Sequence, residues 1–139
     1  VLDDNLMLKL KNKFDVKIST VTGRGKFAFS YSMKNFLDNF DMENSVFLED
    51  RPLNLAKPNP ESLIESISKI NSKCSLYIGD SMEDLLMVQK CQEKGHDVSF
   101  CGIYGSSDEP ELKYELFQKN KASFILESIQ ELPKALNLV

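Results

Sequence analysis

The sequence predicts an α/β layered fold with a mainly parallel sheet. Three observations carry that expectation. Short apolar runs rich in β-branched residues alternate with segments of helical apolar spacing along the chain. Turns holding Gly, Pro and Asn punctuate the alternation. No internal repeat, low-complexity tract or linker interrupts it, and 139 residues suit one domain and one core.

The elements follow in order. Residues 3–14 place Leu6, Met7, Leu10 and Phe14 on one helical face. Val16, Ile18 and Val21 make a short strand, closed by Thr22-Gly23-Arg24-Gly25. Residues 26–40 put Phe29, Met33, Phe36, Leu37 and Phe40 at helical spacing. "SVFL" (45–48) is a second strand, followed by a polar loop through Pro52. "KPNPESLIESISKI" reads as a helix with Asn59 as N-cap and Pro60 at its first position, burying Leu63, Ile64, Ile67 and Ile70. "CSLYI" (74–78) is the third strand, and residues 81–94 form a helix ended by Gly95. "VSFCGIYG" (98–105) is the fourth strand with its loop, and Pro110 starts a helix through about Lys119. "ASFIL" (122–126) is a last strand, and "SIQELPKAL" a closing helix.

Composition narrows the function classes. The chain is 42% hydrophobic and 27% charged, with a net charge of −4. It has no basic run with interleaved aromatics, which argues against nucleic acid as a partner. No apolar stretch approaches the roughly 20 residues that span a bilayer. No signal-like start is visible, and Cys74, Cys91 and Cys101 form no C-x-x-C pair. Three reduced thiols in a cytoplasmic protein is the expectation. His96, in the turn "KGHDV", reads as a surface residue.

In parallel α/β sheets, functional groups gather past the carboxyl ends of the strands. That rule selects Thr22-Gly23-Arg24, Glu49-Asp50-Arg51, Gly79-Asp80-Ser81 and Gly102–Gly105. In "SLYIGDSMEDLLM", Asp80 sits at a strand tip and Asp84 one helical turn on. Both can point into one space above the sheet, where a hard ion such as Mg²⁺ would relieve their repulsion. The alternative is that Asp80 caps the helix while Glu83 and Asp84 complement its dipole. Thr22-Gly23-Arg24 offers a hydroxyl and backbone donors to an anion, or is an ordinary turn. Lys57, in "AKPNP", either is solvated or supplies a point charge to the same anion. Glu49, Asp50 and Arg51 read as a solvated loop, with Asp50 bordering the site.

The order and spacing of these segments resemble a known family. Strand-Thr-Gly-Arg, then Lys-Pro-Asn-Pro, then strand-Gly-Asp-Ser-x-x-Asp is similar to motifs II, III and IV of the haloacid dehalogenase (HAD) superfamily. The match looks closest to the phosphoglycolate-phosphatase-like branch and runs from about Val16 to the end. It implies a Rossmann-like three-layer sandwich, Mg²⁺ as cofactor and a small phosphorylated metabolite as partner. By resemblance, Thr22, Gly23, Arg24 and Lys57 would bind phosphate, with Lys57 and Asp80 in the catalytic set. Asp80 would hold Mg²⁺, and Asp84 would join it directly or through water. The implied mechanism is attack of an aspartate on phosphorus, then hydrolysis of the aspartyl-phosphate by water.

The family's first motif, an apolar strand ending in Asp-x-Asp, has no counterpart upstream of Thr22. Asp3-Asp4 is neither spaced for it nor preceded by a strand. In the family that strand lies between those ending at Thr22 and Gly79. The expectation is therefore that residues 16–139 are the carboxyl-terminal part of a HAD-like core. Residues 1–15 would be a helix returning from a cap, and the nucleophile would lie in a further segment, making the chain alone inactive. A non-catalytic module binding a phosphorylated ligand or a protein is the alternative. Dehalogenase, phosphonatase or mutase chemistry on the same sheet is a third reading.

Overall fold

The computed structural model describes residues 2–15 and 17–138, and helices and short parallel strands alternate along them. Helix α1 (Asp4–Phe14) starts at Asp3, whose carboxylate accepts the Leu6 N–H at 2.8 Å. It buries Leu6, Met7 and Leu10, while Phe14 in its last turn stays 38% exposed. Strand β1 (Val21–Thr22) leads into α2 (Lys26–Ser32), and strand β2 (Val46–Phe47) pairs back with β1 in parallel. Helix α3 (Glu61–Lys69) precedes β3 (Ser75–Gly79), and α4 (Met82–Glu93) precedes β4 (Val98–Ile103). Helix α5 (Pro110–Lys119), β5 (Phe124–Leu126) and α6 (Leu132–Ala135) complete the chain.

The strands form two separate parallel sheets, β1-β2 and β3-β4-β5 in that order. Alternation along each strand sends side chains to two apolar layers. Phe100 of β4 packs with Met87, Val88 and Phe117 on the α3–α4–α5 side. Cys101 packs with Leu6, Met7, Leu10 and Leu132 on the α1–α6 side. The Phe100 and Phe117 rings lie 5.4 Å apart, edge to face. Gly102 makes room for Phe117, since a Cβ there would come within 2.5 Å of its ring. Helices therefore cover both faces of small parallel sheets, a Rossmann-like α/β arrangement.

Several elements differ from the sequence expectation. Val16 lies outside the described residues, and the first strand is confined to Val21–Thr22. The helix expected over 26–40 stops at Ser32, and residues 37–39 form a separate 3-10 turn. Tertiary packing overrides the helical spacing here, because the turn brings Phe40 back onto Phe29, edge to face at 5.5 Å. The strand expected over 45–48 ends at Phe47, where the chain enters a 3-10 turn (Leu48–Asp50). Pro60 occupies the capping position of α3, and Asn59 Oδ1 accepts the Glu61 N–H at 2.9 Å. On α3 the deepest positions include Ser62 and Ser66 beside Leu63 and Ile67. Ser66 Oγ donates to the Asn44 carbonyl at 2.8 Å, which lets a polar residue sit in that layer. The three cysteines are free, with Cys91 and Cys101 buried and Cys74 exposed.

Candidate functional site

The carboxyl ends of β1 and β3 face one cavity of about 630 Å³. It runs along the β1 and β3 edges that face away from their sheets, between α1 and α6 on one side and α3 on the other. Thr22, Lys57, Asp80 and Asp84 all line it. The structure thus brings four residues from three separate sequence segments to one place.

Asp84 is the organising group. It is 4% exposed, in the first turn of α4. Its Oδ2 accepts the Asp80 and Ser81 N–H groups, each at 3.2 Å. Its own N–H donates to Ser81 Oγ at 3.1 Å, completing a reciprocal cap. Its Oδ1 lies 2.6 Å from Lys57 Nζ. Gly79 makes this possible, since a Cβ there would sit 2.5 Å from Asp84 Oδ2. Both oxygens of Asp84 are therefore engaged by donors of this chain.

Lys57 Nζ also donates to the Tyr77 hydroxyl at 2.9 Å. The Lys57 and Asp84 side chains are 16% and 5% exposed, so this is a largely desolvated ion pair. The Tyr77 hydroxyl in turn donates to the Val21 carbonyl at 2.8 Å. Burial raises the Tyr77 pKa well above the ordinary phenol value, and the Asp84 charge adds to the shift. Tyr77 remains a neutral donor. Sequence reasoning missed it; the available signal was its place on the same strand face as Gly79, two residues before the Gly-Asp tip.

Asp80 differs from Asp84. It is exposed, its backbone carbonyl accepts from Lys113 Nζ at 2.6 Å, and no side-chain donor reaches its carboxylate among the described residues. An exposed carboxylate at a strand tip could take one direct bond to a hard cation such as Mg²⁺, which uses one or two carboxylates with waters and phosphate oxygens. Asp84 suits that ion through water, given its engaged oxygens. Among the described residues, no group of three or more His, Cys, Asp or Glu stands ready to hold a metal.

The Thr22–Gly25 turn is less open to an anion than its sequence suggests. Gly25 N–H donates to Glu49 Oε2 at 2.7 Å, and Lys26 N–H to Asp50 Oδ2 at 2.8 Å. Two carboxylates of this chain already complement the positive end of α2. Glu49, Asp50 and Arg51, expected to be a solvated loop, thus each have a fixed partner, Arg51 pairing with Glu65. Thr22 Oγ1 accepts the Arg24 N–H at 3.3 Å, and the exposed Arg24 guanidinium reaches Ser32 Oγ at 3.3 Å. Exposed Gly23 has open space around it, with nothing within 4 Å of a Cβ position.

No family model matches the chain, and no curated protein does. A solved X-ray structure, titled as a Northeast Structural Genomics Consortium target, is similar with a TM-score of 0.72 at 23% identity. The alignment covers 96% of this chain and 40% of that one, so this chain spans less than half the length of its structural neighbour. The likeness shows the fold.

Proposed function

We propose that this chain carries part of the site of a Mg²⁺-dependent phosphomonoester hydrolase of the HAD type. The observation that supports the reading is the convergence of Thr22, Lys57, Asp80 and Asp84 on one cavity at the strand ends. In this reading Asp84 does not contact substrate. It holds the Lys57 ammonium where a phosphoryl group would lie. Thr22, Gly23 and Arg24 bind phosphoryl oxygens through hydroxyl, amide and guanidinium donors. Asp80 holds Mg²⁺, which when bound offsets negative charge on the phosphate. Lys57 and Asp80 are the groups of this chain nearest the chemistry, and the substrate is a small phosphorylated metabolite. The attacking aspartate is not among these residues and comes from a further segment, so the 139 residues bind without turning over.

The test is calorimetric titration of the chain with inorganic phosphate, with and without Mg²⁺. Binding should require Mg²⁺ and vanish in Asp80→Asn. Since no side-chain donor reaches the Asp80 carboxylate among the described residues, that variant should keep its stability within about 0.5 kcal/mol. Phosphate binding indifferent to both Mg²⁺ and Asp80 removes the metal role.

A second reading is a non-catalytic module that binds a phosphorylated ligand or a protein. The engagement of both Asp84 oxygens by Lys57 and by the Asp80 and Ser81 N–H groups favours it, because a carboxylate already satisfied has less need of a metal. Equal affinity for phosphate with and without Mg²⁺, in a chain that stays inert when joined to any acid-bearing strand, would support it.

A further inference from the structure

We propose that the outward face of α2 is a platform for a flat, π-rich ring, so that the substrate is a phosphomonoester whose leaving group carries such a ring. The inference rests on the phosphatase reading for the phosphate and on exposed aromatic side chains for the ring.

Helix α2 holds Phe27, Phe29 and Tyr31. Phe29 is buried against Phe40 and Phe47. Phe27 is 88% exposed and Tyr31 75% exposed, and neither ring packs on another aromatic ring among the described residues. Four residues apart on a helix, they stand on one stripe, roughly 5–6 Å apart at Cβ, so one flat ligand ring can touch both. Ala28 and Ser32 make the adjacent stripe, also exposed, and small Ala28 leaves the sides of the rings uncovered. Arg24 Nη1 donates to Ser32 Oγ at 3.3 Å, so its stem runs along this second stripe and its guanidinium borders the rings. Large exposed rings with a polar rim mark a binding surface, and ring faces with a guanidinium edge suit a stacked ring.

The platform is continuous with the Thr22–Gly25 turn. Phe27 stands in the first turn of α2, directly after the Gly25 cap. The Glu49 and Asp50 carboxylates hold the Gly25 and Lys26 N–H groups at 2.7 and 2.8 Å, which fixes the turn against the start of the helix. Those carboxylates are engaged by amides, whereas the Arg24 and Lys26 side chains form no ion pair among the described residues. An anionic ester therefore meets unpaired cations within a few residues of the rings. The same two carboxylates disfavour a second negative charge on the leaving group, so the ring is uncharged. Leu53, 92% exposed, follows Asp50 by three residues and so lies within about 11 Å of it, extending the apolar surface at this end of α2.

The chain has no tryptophan, so Phe27→Trp places a single fluorescent reporter on the platform. Position 27 is exposed, and the variant should keep the parent's urea midpoint. With Mg²⁺ present, adenosine 5′-monophosphate, phenyl phosphate, glycerol 1-phosphate and adenosine are each titrated. The two ring-bearing esters should quench the emission and bind about tenfold or more tightly than glycerol 1-phosphate. Calorimetry on the parent should give the same ranking, and Phe27→Ala should erase it while leaving the affinity for glycerol 1-phosphate unchanged. Tighter binding of adenosine 5′-monophosphate assigns a nucleoside ester, and tighter binding of phenyl phosphate an aryl ester. Equal affinity for all three esters overturns the platform and leaves the phosphate reading standing. Ring-bearing ligands that leave the emission unchanged at millimolar concentration overturn it too, whatever glycerol 1-phosphate does. Equal quenching by adenosine and its monophosphate overturns the ester class through the phosphatase reading, with the rings still binding. Emission that shifts with chain concentration alone, alongside a dimer in sedimentation, overturns the proposal because the face then takes a second copy.

Discussion

The Tyr77 hydroxyl lies 2.8 Å from the Val21 carbonyl oxygen, joining the edge of one sheet to the edge of the other. The Tyr77 hydroxyl oxygen accepts from Lys57 Nζ at 2.9 Å, and Lys57 is held by Asp84 at 2.6 Å. A line of four groups therefore ties β1 to the start of α4. Removing the hydroxyl in Tyr77→Phe leaves the Val21 carbonyl without that donor and should cost about 1–2 kcal/mol. Tyr104→Phe, whose hydroxyl has no hydrogen-bond partner among the described residues, should stay within about 0.5 kcal/mol. Urea midpoints of the two variants make the comparison. Equal midpoints would mean that water serves Val21 as well as Tyr77 does.

Gly79 and Gly23 both precede candidate site residues, and the structure separates them. A Cβ at Gly79 would meet Asp84 Oδ2 at 2.5 Å and Asp84 Cβ at 2.7 Å. Asp84 would have to move, which breaks its cap and its pair with Lys57. Gly79→Ala should therefore destabilise by about 2–4 kcal/mol. Gly23→Ala meets nothing within 4 Å and should shift the urea midpoint little.

The Lys57–Asp84 pair can be weighed by a double-mutant cycle. Asp84→Ala leaves a largely buried ammonium and the Asp80 and Ser81 amides without their acceptor, for an expected loss of about 3–5 kcal/mol. Lys57→Met leaves Asp84 its backbone donors and should cost less. A coupling of about 1 kcal/mol or more between the two changes is expected. Strict additivity would show that Asp84 acts as a helix cap alone.

Local rules made some of this legible in the sequence. Pro110 opens α5, and Lys119 closes it, where the breaker and the apolar spacing put them. The strand-Gly-Asp-Ser-x-x-Asp segment reads correctly as a strand tip and a helix start because both signals are local. The Glu49 and Asp50 contacts to Gly25 and Lys26 span 24 residues each, and nothing nearby in the sequence announces them. The break after Ser32 was hidden for a related reason. Phe36 and Phe40 keep helical spacing, yet ring packing against Phe29 decides the path. Tyr77 looked like one more apolar residue of a buried strand, and only the geometry shows its hydroxyl at work.

The thiols should divide by burial. Burial pushes Cys91 and Cys101 up to about 11, which leaves little thiolate at neutral pH. Cys74 is exposed. One thiol should react promptly with a disulfide reagent in the native chain, and two more only on unfolding. Prompt reaction of all three would show that the layers around Phe100 and Cys101 open readily.

Part of the acid sensitivity of the fold should run through Glu65. The Arg51 guanidinium donates to both its oxygens, Lys69 Nζ lies 2.7 Å away, and its pKa falls from 4.5 to about 2. A carboxyl that is more acidic when folded contributes stability that is fully present above its unfolded value. That contribution is lost as pH falls through the range from 4.5 to about 2. Arg51 and Glu65 are each 29% exposed and Lys69 half exposed, so solvent screening holds the contribution to about 1 kcal/mol or less. Glu65→Gln should lower stability at neutral pH by that amount and flatten its decline toward pH ~3 relative to the parent. Urea unfolding of both chains at neutral and acid pH measures the difference. Parallel pH profiles would mean that the ion pair persists in the unfolded chain or adds nothing to the fold.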